Sequence, residues 1–299
     1  MYNQITANKR KTWMLIVVMA AIIIGLSVFF GALNDVDPTS SIIMGTMFAT
    51  VYGLISYYAS SSVALAASGA KQIQKSDSPD LWNMVENLCI ANGQPMPKVY
   101  IINDPSPNAF ATGRDPEHAA IAFTTGILQL LERRELEGVA AHELSHVKNY
   151  DIRVMTIVVV LVGAIMLIAD ILLRSGRFFG GRDNKNGGGA ALALIVVGIA
   201  LAILSPLFAQ LIQLAVSRSR EYLADASGAL LTRYPAGLAS ALQKISSVNQ
   251  PLARANHATA HLFIANPFGN NKKPGFWREL FSTHPPVEER VAKLMAMGG

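Results

Sequence analysis

The sequence predicts a mainly α-helical membrane protein, with four hydrophobic helices and a water-exposed α+β domain that contains a small sheet. Apolar residues make up 51% of the 299 residues and charged residues only 15%, whereas a soluble globular chain has about 25% charged residues. The mean hydropathy is +0.33. Charges are concentrated in stretches that lie between long charge-free runs, which is typical of membrane helices joined by exposed segments.

Composition excludes several other classes of protein. The chain has one cysteine, Cys89, so it can form neither a disulfide scaffold nor a cysteine-rich zinc fold. It is too hydrophobic for a disordered chain. The net charge is +5, but no Lys/Arg run is interleaved with aromatic residues, so we expect no nucleic-acid partner and assign the positive charges to the flanks of membrane helices.

Four charge-poor runs are long enough to cross a lipid bilayer, which takes about 20 apolar residues. The first of them has 23 residues between Lys11 and Asp35. The third contains one charge, Asp170, and an ion pair with Arg174 four residues later explains this charge better than an intramembrane functional acid does. The four predicted helices cover residues 13–33, 42–67, 154–173 and 190–216.

Positive charges predict the orientation of these helices. Three of them, at residues 9–11, precede the first helix, while the loop that follows it carries only Asp35 and Asp37. The positive-inside rule therefore places the N-terminus and residues 71–153 in the cytoplasm. The first segment is too long for a typical signal peptide, so we interpret it as an uncleaved anchor. The loop between the third and fourth helices is also positive, which leaves open whether that pair crosses fully.

The chain is thus divided into four consecutive parts. Residues 1–70 form a first hydrophobic hairpin and residues 154–216 a second, while residues 71–153 and 217–299 are predicted to build one exposed domain together. The helix at 134–150 is expected to run on into the third hydrophobic helix. Strands are expected at 98–103, 108–115 and 119–125, and helices at 78–91, 125–131, 134–150, 218–231, 235–248 and 286–297.

One motif in the exposed domain carries metal chemistry. His142 and His146 lie four residues apart on a predicted helix, so both rings project from one face and can bind a single metal ion. Glu143, beside the first histidine, can reach a water molecule on that metal. A half-buried structural histidine pair is the alternative, and the adjacent glutamate argues against it.

A catalytic zinc site needs a third protein ligand. Glu221 follows the fourth hydrophobic helix and is our candidate, although a salt bridge with Arg218 or Arg220 would also explain it. Asp225, one turn later on the same face, can orient a ligand imidazole. A second histidine pair, at 257 and 261, lacks an adjacent glutamate, and we do not expect it to bind metal.

Four motifs occur together in this chain: His142 to His146 with Asp151 following, Ser217-Arg-Ser-Arg-Glu221 with Ala224-Asp225, Asn108-Ala-Phe-Ala111, and Thr283-His-Pro-Pro286. Through them, and through the four-helix layout, the chain resembles the HtpX-like membrane zinc metalloproteases, which are related to the CAAX prenyl proteases. The resemblance covers nearly the whole chain.

The resemblance implies a gluzincin-type endopeptidase at the cell membrane, with its peptidase domain facing the cytoplasm. Its substrates would be misfolded or damaged membrane proteins, in quality control and stress responses. It implies one zinc ion (Zn2+) per chain, bound by His142, His146 and Glu221, with Glu143 as the catalytic acid and base.

Two further assignments come from the same resemblance. The segment of Asn108, Ala109, Phe110 and Ala111 would lie beside the substrate cleft, where an extended substrate adds as a strand. His284 would hydrogen-bond the oxyanion of the reaction, although a role at the start of the following helix explains it equally simply.

Other functions stay open at this point. A CAAX-type prenyl-protein protease shares the same site residues. An inactive protease-like membrane scaffold and a small transporter that uses Asp170, Gln210 and Gln213 are weaker alternatives, because every expected catalytic residue is present and four helices offer only one intramembrane acid. The oligomeric state and the natural substrates are not predicted.

Overall fold

Two hydrophobic helices form a hairpin in the first part of the chain. The structure is a computed structural model, and it describes residues 2–33, 35–163, 217–269 and 284–298. Helix α1 (Tyr2–Leu33) and helix α2 (Pro38–Tyr58) pack along each other. Within the described residues, two helices are long and apolar enough to cross a membrane, over Ile5–Phe29 and Pro38–Tyr58.

The remaining hydrophobic segments are only partly described. Residues 151–163 are helical, and we refer to them as α7. The rest of the predicted third helix, the predicted fourth helix and the glycine-rich loop between them lie outside the described residues. So do Asp170, Arg174, Gln210 and Gln213.

The second hydrophobic segment, predicted as one helix over 42–67, is two helices. Helix α2 ends at Tyr58, and helix α3 (Ser60–Ser68) begins after Ala59. The start of α2 is fixed by Pro38 in its first turn and by the Asp37 side chain, which accepts a hydrogen bond from the Ser40 N–H at 3.0 Å. The prediction of one continuous helix was wrong. The sequence carries no signal of the break, because neither glycine nor proline occurs at it.

The exposed domain contains a four-stranded mixed sheet. Its strands are β1 (Ala70–Gln72), β2 (Lys98–Ile102), β3 (Ala109–Gly113) and β4 (Ala119–Thr124), in the order β1-β2-β4-β3. Strands β2 and β4 are parallel, and the other two pairs are antiparallel. Three of these strands were predicted, whereas β1, with three residues, is too short to give a periodic signal.

Six further helices complete the described domain. They are α4 (Pro79–Asn92), α5 (Thr125–Leu130), α6 (Arg133–Lys148), α8 (Arg218–Thr232), α9 (Pro235–Ser247) and α10 (Val287–Ala296). Helix α6 does not run on into α7, contrary to prediction. Tyr150, between the two helices, has φ +59°, and this left-handed conformation ends the α-helical hydrogen-bond pattern.

Helix α6 lies at the centre of the domain. Its apolar side packs against the sheet and helices α4, α8 and α9, so that Val139, Ala140, Ala141 and Leu144 have no exposed surface. A separate apolar cluster joins α1 to α7 through Leu15, Met19, Val158 and Leu161, among others. The first hydrophobic helix is therefore packed against the segment that directly follows α6.

Candidate metal and catalytic centre

Helix α6 presents both histidines of the predicted metal site. Its start is stabilised by a reciprocal capping box between Glu132 and Glu135. One turn apart on the helix, His142 and His146 direct their Nε2 atoms toward each other at 3.2 Å. Both side chains are buried. The buried apolar residues of α6 thus hold the two imidazole rings inside the domain.

Helix α8 brings the third candidate ligand, Glu221, to the same point. Its Oε1 lies 3.4 Å from His146 Nε2, and its Oε2 lies 3.8 Å from His142 Nε2. One ligand atom from each of these three residues lies within 4.8 Å of the others. Burial would raise the Glu221 pKa, but the charge of His284, a hydrogen bond from it and the charges of His146 and His142 hold it well below its usual range.

These distances fit a tetrahedral metal ion. Two ligand atoms at 2.0–2.1 Å from one zinc are about 3.3–3.4 Å apart at a tetrahedral angle. The observed nitrogen–nitrogen separation is 3.2 Å, and the shorter nitrogen–oxygen separation is 3.4 Å. A His2Glu set is also a known catalytic zinc set, which leaves the fourth position to water or substrate.

Glu143 lies beside this set and is buried. Burial raises its pKa, an effect that the nearby histidines partly oppose and the charge of Glu221 reinforces. A carboxyl group whose pKa is raised binds a proton more readily than an ordinary carboxyl group, which suits general acid–base catalysis.

The ring of His142 is backed by a buried carboxylate. Asp225 Oδ1 lies 2.9 Å from His142 Nδ1. Arg290, on α10, donates two hydrogen bonds to Asp225, from Nε to Oδ2 at 2.8 Å and from Nη2 to Oδ1 at 2.7 Å. Burial alone would raise the Asp225 pKa, but these hydrogen bonds, with His142, hold it at about 2.

A similar arrangement backs His146. Its Nδ1–H donates to Asp151 Oδ2 at 3.0 Å, which leaves Nε2 directed toward Glu221. Burial would lower the His146 pKa, but the Asp151 hydrogen bond and the charges of Glu221, Asp151 and Glu143 raise it to about 9. Asp151 is itself held by Asn8 of α1 and Arg220 of α8.

His284 contacts both Glu221, the third candidate ligand, and Phe263. Its Nδ1 is 2.6 Å from Glu221 Oε2, and its Nε2 is 2.6 Å from the carbonyl oxygen of Phe263. Since both partners are acceptors, the ring donates from both nitrogens in this arrangement. His284 therefore contacts a candidate metal ligand and lies at the site.

The segment predicted to bind an extended substrate forms the outer strand β3, preceded by Asn108. All of β3 is buried. Its outer edge is partly paired, because the Ile264 N–H donates to the Ala109 carbonyl and the Asn108 side chain bonds both backbone groups of Ala265. Phe110 also packs edge-to-face on Phe263.

The second histidine pair does not join the site. His261 is buried, and its Nε2 lies 2.8 Å from the Met155 carbonyl oxygen. Burial lowers its pKa to about 4, so it is a neutral core residue. Sequence reasoning missed the parts played by Asn8, Arg220 and Arg290, because they lie far along the chain from the histidines and carry no local spacing signal.

Known proteins are similar to this chain over its whole length. The family described as Peptidase family M48 matches residues 75–297. A protein named Protease HtpX homolog from Tropheryma whipplei (strain Twist) is 49% identical over 298 residues, covering 100% of this chain and 99% of that protein. One of the same name from Lactobacillus acidophilus is 46% identical over 302 residues, covering 99% and 100%.

A solved structure is also similar. The crystal structure of S. mikatae Ste24p aligns with a TM-score of 0.53 at 17% sequence identity, covering 98% of this chain and 67% of that chain. At this identity the likeness shows a shared fold. The sequence relatives and the family match carry the identification. The chain belongs to peptidase family M48, and it is a membrane-bound zinc metalloprotease.

Proposed function

We propose that this metalloprotease hydrolyses peptide bonds of misfolded or damaged membrane proteins at the cytoplasmic face of the cell membrane. In this proposal one zinc ion per chain is held by His142, His146 and Glu221, and Glu143 transfers the proton. The observation that carries the proposal is the convergence of three buried ligand side chains within 4.8 Å of one another, next to a buried glutamate.

Each residue has a distinct part in the proposed reaction. The ion, when bound, polarises the scissile carbonyl and lowers the pKa of a water molecule that it coordinates. The Glu143 carboxylate accepts the proton of the attacking water and returns it to the leaving amine nitrogen. Asp225 and Asp151 keep the two imidazole rings oriented, because each carboxylate lies against the Nδ1 of one ring.

The substrate would enter as an extended strand beside β3. Backbone groups point outward at alternate residues of an edge strand. Ala109 is one such residue, and its carbonyl is paired with Ile264, so Ala111 is the next position at which a substrate can pair. His284 contacts Glu221 and the carbonyl of Phe263, the residue before Ile264. We propose that His284 donates to the developing oxyanion from Nε2 once the substrate takes the place of the Phe263 carbonyl as the acceptor.

Membrane placement supports a membrane-protein substrate. Four hydrophobic helices, two of them within the described candidate spans, would anchor a peptidase domain that is formed jointly by residues 71–153 and 217–299. Along the chain, the hydrophobic α7 follows α6 after the break at Tyr150, and α8 follows the predicted fourth helix. Both ligand-bearing helices are therefore attached to membrane segments, and cytoplasmic loops of neighbouring membrane proteins would be within reach.

Cleavage of an unfolded protein by the purified, detergent-solubilised chain tests this proposal. The chain is purified in chelator, zinc is then added, and casein fragments are followed over time. We expect Glu143→Gln to bind one zinc per chain but to cleave about 10²- to 10⁴-fold more slowly, because only the proton carrier is lost. Glu221→Gln is the matched variant, and we expect it to lose zinc to a chelator that leaves the Glu143→Gln protein loaded.

Different outcomes separate the alternatives. Full cleavage by the Glu143→Gln protein would refute the assignment of the proton carrier. Zinc retention by the Glu221→Gln protein equal to that of the wild type would refute the third ligand. If the zinc-loaded wild type leaves casein intact but cleaves a prenylated peptide, the enzyme is a prenyl-protein protease.

A further inference from the structure

We propose that Asn8, at the start of the first hydrophobic helix, is a positioning residue of the metal site. It acts through Asp151, which in turn holds the ring of His146. This inference rests on the proposed zinc site. It gives α1 a part in catalysis in addition to its part as a membrane anchor.

The contacts of Asn8 link three segments that are distant along the chain. Its Nδ2 donates to Asp151 Oδ1 at 2.7 Å and to the Asn149 carbonyl oxygen at 3.0 Å. Its Oδ1 accepts a hydrogen bond from Arg220 Nη1 at 3.3 Å. One amide therefore joins α1 to the junction between α6 and α7 and to α8, which carries Glu221.

The Asp151 carboxylate depends on this amide. Its Oδ2 is occupied by His146, and its Oδ1 receives Asn8 at 2.7 Å and Arg220 at 3.3 Å. The Asn8 hydrogen bond is the shorter of the two. Without it, the longer contact is the one that Oδ1 keeps among the described residues, and Arg220 also loses an acceptor, so the carboxylate plane that orients His146 is no longer fixed from two sides.

Burial makes the arrangement costly to disturb. Asn8 is 2% exposed and Asp151 is 2% exposed, so water cannot replace the lost donor. The neutral amide holds the carboxylate without adding a charge beside the site. The neighbouring Lys9 reinforces the docking of α1, because its ammonium group lies 4.7 Å from the centre of the Tyr150 ring.

Zinc release measures the proposed role directly. We would prepare the chain in the Glu143→Gln background, which prevents self-cleavage, and compare it with the same protein carrying Asn8→Leu, a change of similar size and shape. Each protein is loaded with zinc, and the rate at which a chromogenic chelator removes the ion is recorded. We expect removal about 10-fold faster or more from the Asn8→Leu protein, the scale of effect that lost ligand-orienting partners have.

Thr12→Val is the matched control. Thr12 lies one turn later on α1, is fully buried, and its hydroxyl has no hydrogen-bond partner among the described residues. We expect zinc release from the Thr12→Val protein at the parent rate. Unfolding midpoints of the metal-free proteins show whether the fold is intact. In the active background, kcat should fall for Asn8→Leu while KM stays unchanged.

The results discriminate between three conclusions. Equal zinc release from the parent and the Asn8→Leu protein would overturn the inference, as would equally fast release from the Thr12→Val protein, which would reveal general disturbance of the helix. Should the Asn8→Leu protein fail to fold, Asn8→Ala replaces it, because it removes the donor without adding bulk or charge beside Asp151. A parent protein that binds no zinc would instead refute the proposed site itself.

Discussion

At the scale of single residues, buried carboxylates hold the two histidines of this site in place. Asp225 is the clearest case, because it lies between Arg290 and His142, and all three side chains have at most 5% exposure. A guanidinium group buried this deeply needs its partner, since an unpaired buried charge is far more costly than a broken surface pair. The same contact therefore orients a candidate metal ligand and attaches helix α10 to the domain.

Asp225→Asn should destabilise the folded protein by about 3–5 kcal/mol at neutral pH, because it leaves Arg290 without a buried counter-charge. Thermal unfolding of the metal-free proteins in detergent measures this. Arg290→Met in combination with Asp225→Asn is the control, and it should recover part of the loss. Equal midpoints for the Asp225→Asn protein and the wild type would contradict the expectation.

The same pair predicts how stability depends on pH. The folded Asp225 pKa of about 2 lies below the ordinary value of 3.8. A lowered folded pKa contributes stability that is fully present above the unfolded value and is lost as pH falls through the folded value. The contribution is on the order of 2 kcal/mol. The wild type should thus lose stability between about pH 4 and pH 2, and the Asp225→Asn protein should show a smaller loss; parallel pH profiles would contradict this.

At the scale of helices, the close packing of α8 against α6 sets the position of Glu221, the third candidate ligand. A Cβ atom added at Gly228 of α8 would lie 3.0 Å from the backbone nitrogen of His142 and 3.2 Å from its Cα. Glu221 is two turns earlier on the same face of α8. The absence of a side chain at Gly228 therefore lets α8 approach α6 closely enough for Glu221 to reach the histidines.

Gly228→Ala should push α8 away from α6 by a few tenths of an ångström, and Gly228→Val should push it further. We expect zinc affinity to fall in that order, because the carboxylate retreats while the histidines stay on α6. Competition with a chelator of known affinity measures the effect. Gly25→Ala is the control, since a Cβ there meets nothing within 4 Å among the described residues. Unchanged affinity in both Gly228 variants would show that α8 does not set the ligand position.

The elements that sequence predicted well are those with a local signal. The i,i+4 spacing of His142 and His146 and the periodicity of α6 and α8 depend only on neighbouring residues. The breaks at Ala59 and Tyr150 were missed, because no glycine or proline marks them. Contacts such as that between Asn8 and Asp151 join positions 143 residues apart, and no spacing rule in one sequence reveals such a pair.

At the scale of the whole molecule, the first hydrophobic helix contacts the domain that carries the candidate metal site. Helix α1 has 32 residues, so at 1.5 Å per residue it is about 48 Å long, enough to cross a bilayer. Its first turns contact the peptidase domain through Asn8 and Lys9, while the loop at 35–37 lies at its other end. If α1 spans the membrane, the peptidase domain and the short loop must face opposite sides.

Cysteine labelling tests this arrangement in cells. Val36, in the short loop, is 39% exposed, and the Lys75 side chain of the peptidase domain is 55% exposed. With a membrane-impermeant maleimide, we expect Val36→Cys to react in intact cells and Lys75→Cys to react only after lysis, because positive residues flank the cytoplasmic end of α1. The wild type is the blank, since its one thiol, Cys89, is buried and burial raises its pKa to about 11. The reverse pattern of labelling would place the peptidase domain outside the cell, where cytoplasmic loops of membrane proteins could not be its substrates.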